Sequence, residues 1–347
     1  FGGFVRPRGR KKKEKTNQKD KIFHKIPQGY YFLYYIVFGG KRACFCIIIF
    51  MTIPIPQWLK DLAGRNKAAL RTSAALSAQA SIDKHILHTV CHAAHCPNRG
   101  ECFNCGDATF MVLGDLCTRG CRFCAVTKAR PLPPDENEPR RVAEAVKEWG
   151  IRYAVLTMPT RDDLPDGGAA HFARVINAIH QLTPEVLVEP LISDLKGDKQ
   201  ALKTVLDARP AVLAHNVETV QELYSAVRIG ADYKRTLTLL ENSKKLAPEI
   251  FTKTGFMVGL GETEEQLKTL MKDLRTVGVD LLTIGQYLAP SATHYPVARY
   301  PEPQEYKAWE EYALSLGFKG VASGPLVRSS YRAGALYRRA LAGQSVK

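Results

Sequence analysis

The chain has 347 residues, 45% of them hydrophobic and 24% charged, which is long and apolar enough for one large catalytic core with extensions. Its net charge of +15 invites a nucleic-acid reading, but 12 of the 49 Lys and Arg and only 2 of the 34 acids fall in residues 1–50. The other 297 residues carry +5, so the body is only mildly basic and calls for no nucleic-acid partner.

Residues 6–25 are a basic run, followed by two apolar patches at 30–38 and 43–51. Neither patch reaches the roughly 18–20 apolar residues that a membrane span needs, and no signal-peptide cleavage site is clear. Met51 is the first methionine. Residues 1–50 are therefore expected to be disordered or to be upstream sequence outside the mature protein, with no role for Cys44 or Cys46. The expected protein is cytoplasmic and not in a membrane.

Between residues 58 and 88, Leu, Ala and Ile recur at three- and four-residue steps, a helical pattern. Cys91, Cys96 and Cys102 then follow in a stretch read as a loop punctuated by Pro97 and Gly100. His92 and His95 lie among them and are not assigned as ligands, since histidines beside ligating cysteines more often support the ligands than join them. Residues 108–114 (ATFMVLG) fit a buried parallel strand. Cys117, Cys121 and Cys124 follow it, in the loop position where α/β barrels place their chemistry.

Nine cysteines in a chain of this size, clustered in this way, suit metal binding in a reducing compartment better than a disulfide framework. In C-x3-C-x2-C, three thiolates can hold a four-iron cubane and leave one iron free for a substrate or cofactor. A rival pattern exists. Cys102, Cys105, Cys121 and Cys124 form C-x2-C-x15-C-x2-C, within zinc-ribbon spacing. It would make the chain a nucleic-acid binder, but it leaves Cys91, Cys96 and Cys117 without a purpose, whereas two triplets leave over only Cys105.

From residue 130 the chain alternates strands and helices. Pro139 opens a helix, strands are expected at 153–158, 186–192, 211–216, 256–260 and 281–284, and helices at 171–181, 198–207, 219–227, 233–246 and 263–277. About six such units predict an α/β fold, a partial (β/α)6 barrel of parallel strands with N-terminal and C-terminal extensions. Gly255, Gly259, Gly261 and Glu262 end a strand and read either as a turn or as the G-x-I-x-G-x-x-E segment that many S-adenosylmethionine (SAM) radical enzymes lay against adenine. Ser329 and Ser330, ahead of a final helix, read as N-cap residues.

Taken together, several segments resemble the lipoyl synthase family within the radical SAM superfamily. They are CPNRGEC at 96–102, ATFM-LGD-CTRGCRFCAV at 108–126, RDDLPDGGAAHFA at 161–173, GLGET at 259–263, LTIGQYL-PS at 282–291 and ASGPLVRSSY at 322–331. The resemblance covers residues 82–331 and argues against another sulfur-inserting SAM radical enzyme. It implies two 4Fe–4S clusters and SAM as cofactors. Cys117, Cys121 and Cys124 would hold the cluster that cleaves SAM. Cys91, Cys96 and Cys102 would hold an auxiliary, sulfur-donating cluster completed by Ser330. The activity implied is radical insertion of sulfur at carbons six and eight of an octanoyl chain carried on a lysine of a lipoyl carrier protein or domain, with an electron donor as a further partner. The implied organisation is residues 51–107 as an extension with the auxiliary loop, 108–322 as the barrel and 323–347 as a segment closing over the auxiliary cluster. Residues 158–160, Ser193 and Leu195 depart from the family pattern.

Overall fold

The structure is a computed structural model that describes residues 32–38, 41–47, 53–93, 96–104 and 109–343. The chain divides into two units, Phe1–Met51 and Thr52–Lys347. In the first, β1 (Phe32–Phe38) pairs antiparallel with β2 (Lys41–Ile47), Tyr35 opposite Cys44. Both strands lie within the segment expected to be disordered or upstream sequence. Their aromatic and β-branched residues favour paired strands, a signal that the missing helix or strand period concealed.

The second unit opens with two helices, α1 (Gln57–Ala68) and α2 (Ser73–Lys84), the latter capped by Thr72, which accepts from the Ala75 amide. A short edge strand β3 (His88–Thr89) leads to two brief helices, α3 (Val90–Ala93) and α4 (Arg99–Asn104). The sequence reading had a loop here, with Gly100 as punctuation. Gly100 instead lies inside α4, where a Cβ would collide with the Asn66 carbonyl, so its role is close approach of two backbones.

The barrel follows: β4 (Thr109–Met111), the small pair β5 (Leu116–Cys117) and β6 (Thr127–Lys128), α5 (Glu138–Glu148), β7 (Tyr153–Thr157), α6 (Ala169–Leu182), β8 (Leu187–Leu191), α7 (Lys199–Asp207) and β9 (Val212–Ala214). It continues through α8 (Tyr224–Val227), α9 (Tyr233–Leu246), β10 (Phe251–Val258), α10 (Glu264–Thr276), β11 (Leu281–Gln286), α11 (Pro303–Ser315), β12 (Gly320–Gly324) and α12 (Ala333–Leu341). The main sheet has the order β12-β11-β10-β9-β8-β7-β4-β3. Every pairing from β4 to β12 is parallel, and only the edge strand β3 runs antiparallel to its neighbour. Seven parallel strands joined by six crossovers, in chain order, form an open partial barrel of the size that the sequence predicts.

Strand alternation sorts the two faces. Ala154, Leu156, Val188 and Leu213 pack outward against α5, α6 and α7, and Phe256, Val258, Leu282, Ile284 and Val321 pack against α10 and α11. Tyr153, Val155, Val212, Leu281 and Ala322 point the other way, and α12 meets them with Ala333, Leu336 and Ala340. The C-terminal helix thus fills the inner face of the sheet, touching β7, β11 and β12. A polar layer crosses the same interior. Lys253 Nζ donates to Glu189 Oε1 (2.6 Å) and the Tyr153 hydroxyl donates to Glu189 Oε2 (2.6 Å), with Lys253 and Glu189 each 1% exposed. A buried ion pair survives only where geometry and further hydrogen bonds compensate desolvation, and both conditions are met here.

Candidate active site

Cys117, Cys121 and Cys124 sit on one short loop that begins in β5 and ends just before β6. Five backbone or side-chain bonds fix it to the barrel. The Thr118 amide and hydroxyl both donate to the Thr160 carbonyl (3.0 and 2.9 Å), and the Asp162 amide donates back to the Thr118 hydroxyl (3.1 Å). The Arg122 amide donates to Val227 O (2.9 Å), and the Tyr295 amide donates to Arg122 O (2.8 Å). Between the first two cysteines, Arg119 is a clamp. Its Nε and Nη2 donate to Asp162 (2.7 and 2.9 Å) while its Nη1 and Nη2 donate to Asp194 (2.8 Å each), and Arg235 adds a second cation to Asp194 at 3.0 Å. Burial works against the Asp194 charge, yet the Arg119 fork holds this carboxyl down at about 2.

The other triplet is spread over more of the fold. Cys91 lies in α3, Cys96 between the two short helices and Cys102 in α4. All three line a small cavity together with Asn98, Tyr153, Arg328 and Ser330. Side chains from α4 and the turn before it stitch the segment carrying Ser330 in place. Buried Asn98 donates to Leu326 O (2.5 Å), and Glu101 accepts from the Tyr331 hydroxyl (2.8 Å) and from Arg332 (2.7 Å). The N-cap reading of Ser329 and Ser330 does not hold. The residue ahead of α12 is Arg332, in the left-handed region at φ +47°, with no side-chain cap bond. Ser330 is thereby left to face the cysteines.

A larger cavity of about 480 Å³ adjoins, lined by Cys117, Cys121 and Cys124 on one side and by Cys91, Cys96 and Ser330 on the other. Its walls include apolar Val90, Met111, Met158, Leu191 and Met257 alongside polar Asn216, Glu218, Arg228 and Gln286. Asn216 Oδ1 is buried with no hydrogen-bond partner among the described residues, and so can accept from a bound molecule. Glu218, at φ +68°, accepts from Asn216 Nδ2 (3.1 Å), and burial raises its carboxyl. Behind them, Arg228 donates to Tyr224 and Thr236, and Thr236 also meets His215 at 3.2 Å. Burial lowers His215 to about 3, so this histidine is neutral and structural. The departures from the family pattern at 158–160 and Ser193 all lie on the cavity wall.

The donor set fits sulfur-bound iron. Soft thiols face a shared space, and burial pushes Cys91 and Cys121 up to about 11 and Cys124 up to about 12. Such thiols ionise only when a positive centre replaces their protons. Among the described residues no three His, Cys, Asp or Glu converge on a single ion. The zinc-ribbon grouping is not assembled: Cys102 lines the small cavity, whereas Cys121 and Cys124 line the large one. Cys105 and His95 lie outside the described residues. His92 bonds to Gln79 (2.6 Å) and to Arg99 (3.1 Å). Glu262 closes a turn at the glycine-rich strand end, accepting from the Gly259 and Leu260 amides (2.6 and 2.8 Å).

Arg119, Asn98, Glu101 and Asn216 escaped the sequence reading. Only Arg119 carried a signal, a charge placed between two ligand cysteines. Among the described residues no helix is long and apolar enough to cross a membrane. A profile of the radical SAM superfamily matches residues 111–274. The lipoyl synthase of Caldanaerobacter subterraneus subsp. tengcongensis is 54% identical over 289 residues, which cover 82% of this chain and 97% of that one. That of Caldicellulosiruptor saccharolyticus is 56% identical over 247 residues, covering 71% and 87%. A chloroplastic lipoyl synthase of Populus trichocarpa is 47% identical over 299 residues, covering 84% and 78%. With identity at this level along nearly the whole length of a relative, the chain belongs to the lipoyl synthase family of the radical SAM superfamily.

Proposed function

We propose that Cys117, Cys121 and Cys124 hold the 4Fe–4S cluster at which SAM binds, and that Cys91, Cys96, Cys102 and Ser330 hold the second, sulfur-donating cluster. When bound, these groups supply the radical and sulfur chemistry by which a lipoyl synthase inserts sulfur at carbons six and eight of an octanoyl chain. The observation that carries the assignment is the pair of adjoining cavities: the larger is lined by Cys117, Cys121 and Cys124 together with Cys91, Cys96 and Ser330, and the smaller by Cys91, Cys96, Cys102 and Ser330. A pocket of this size takes a drug-sized ligand. Its apolar side, Met111, Leu191 and Met257, suits an alkyl chain, and its polar side, Asn216, Glu218 and Arg228, suits a nucleoside. Arg119 orients the first loop, while Asn98 and Glu101 hold Ser330 toward the second triplet.

The substrate is an octanoyl amide on a lysine of a carrier protein or domain, and a separate electron donor serves the first cluster. Cysteines clustered for metal binding suit a reducing compartment such as the cytoplasm. Residues 51–107 act as the extension bearing the second triplet, 108–322 as the barrel and 323–347 as the closing segment. The test is anaerobic turnover of an octanoyl-lysyl peptide with SAM and a chemical reductant, followed by mass spectrometry. Lipoyl peptide together with 5′-deoxyadenosine is expected. Loaded protein that cleaves SAM but yields no sulfur-bearing peptide would sink the proposal.

A further inference from the structure

Arg328 stands where the two cavities meet, lining both. Its Nη1 donates to the carbonyl of its own neighbour Val327 (2.7 Å), and among the described residues no carboxylate lies within ion-pair distance of it. Of the other inward-facing guanidiniums, Arg228 donates to the Tyr224 and Thr236 hydroxyls, and two are ion-paired. Arg119 is matched by two aspartates and Arg161 by Asp163. Arg328 is also held firmly. Asn98 donates to Leu326 O, the Gln286 amide to Pro325 O (3.3 Å), and the Tyr331 amide to Arg328 O (2.9 Å). Gly285 makes room for this chain segment, since a Cβ there would strike the Val327 carbonyl. The result is a rigidly placed cation whose remaining donors face a cavity, close enough to Cys96 to feel its charge.

A desolvated charge without a partner is costly, so a fold that keeps one has a use for it. Three thiolates and a serine oxygen bring net negative charge to the small cavity, and a fixed cation beside them offsets it. We propose that Arg328 is the counter-charge of the second cysteine site, a positioning residue that stabilises its cluster and sets its reduction potential. This rests on the assignment of Cys91, Cys96, Cys102 and Ser330 made above. Potentials of such centres follow net charge and hydrogen bonds to sulfur, so loss of the cation makes the centre harder to reduce and easier to strip.

The experiment compares wild type, Arg328→Gln and Arg328→Lys, each loaded anaerobically with both clusters. Potentiometric titration followed by electron paramagnetic resonance reads both centres in one sample, with the first as an internal reference. Iron retention is followed during dialysis against a chelator. In Arg328→Gln the second potential should move negative with the first unchanged, and iron should leave the second site at least ten-fold faster. Arg328→Lys should recover most of the potential. A Gln variant that cannot load the second site, beside a Lys variant that can, supports the same role. Failure of both to load that site would show that charge is not what the site requires. Wild-type potential and iron retention in Arg328→Gln overturn the proposal, as does a loss confined to SAM affinity, which would assign the guanidinium to the larger cavity. Wild-type protein binding about four irons rather than about eight would refute the underlying site assignment instead.

Discussion

The two cysteine sites are built in opposite ways. The first is local: three cysteines within eight residues of one loop, fastened to the barrel by main-chain bonds and by the Arg119 clamp. The second is composite, made of two short N-terminal helices and a segment more than two hundred residues later, joined through contacts such as Asn98 to Leu326, 228 positions apart. A local site depends on its own loop. A composite site depends on the whole barrel keeping its ends together.

The largest test of that contrast is to remove one site and ask whether the other stands. Replacing Cys117, Cys121 and Cys124 with alanine should abolish SAM cleavage and leave the second site loaded, so iron analysis gives about four irons rather than about eight. Loss of all iron would mean that the sites are not independent. Next in size is Ser330→Ala. It should reduce lipoyl product at least ten-fold while 5′-deoxyadenosine formation continues, because the first loop is untouched. Ser329→Ala is the control and should keep most activity; equal losses in the two variants would count against Ser330 as the ligand.

The clamp of the first loop can be weakened by mutation or by acid. Arg119→Met leaves Asp162 and Asp194 facing each other without their shared cation, and denaturant titration should show a loss of roughly 3 kcal/mol. An unchanged midpoint would show that the main-chain bonds alone hold the loop. The acid response has a definite sign. Because the folded Asp194 carboxyl, at about 2, lies below its unfolded value of about 4, its stabilising contribution is complete above about pH 4 and is lost as pH falls toward about 2. Asp194→Asn should flatten that part of the pH–stability curve.

The smallest expected effect concerns the separate first unit. Deleting residues 1–50 should leave melting temperature, iron content and product yield as they were, because Thr52–Lys347 forms a compact unit by itself. A truncated protein that fails to load either site would show that the first unit supports the second.

What the sequence made legible follows the same local-versus-composite line. The first triplet, the strand–helix alternation and its six crossovers were readable because the information lies within each short window. The neighbourhood of Ser330 suggested a helix cap, which a single left-handed residue, Arg332, displaced; its assignment to the second cysteine site comes from family resemblance alone. Gly100 looked like a turn and proved to be a packing contact with Asn66. The inner seat of α12 was invisible, since an amphipathic helix pattern states that one face is buried but not against which side of a sheet.

That seat has a consequence for how the protein is made. Chains emerge from the ribosome N-terminal end first. The loop of the first site and its anchors at Thr160, Asp194, Val227 and Tyr295 all precede β12, so this site can form while the rest is still being translated. Ser330 and α12 come after. Until they arrive, Val212, Leu281 and Ala322 stay bare on the inner face, an apolar surface of the kind that chaperones and proteases recognise. Completing the second site and covering this inner face therefore both depend on the last segment of the chain.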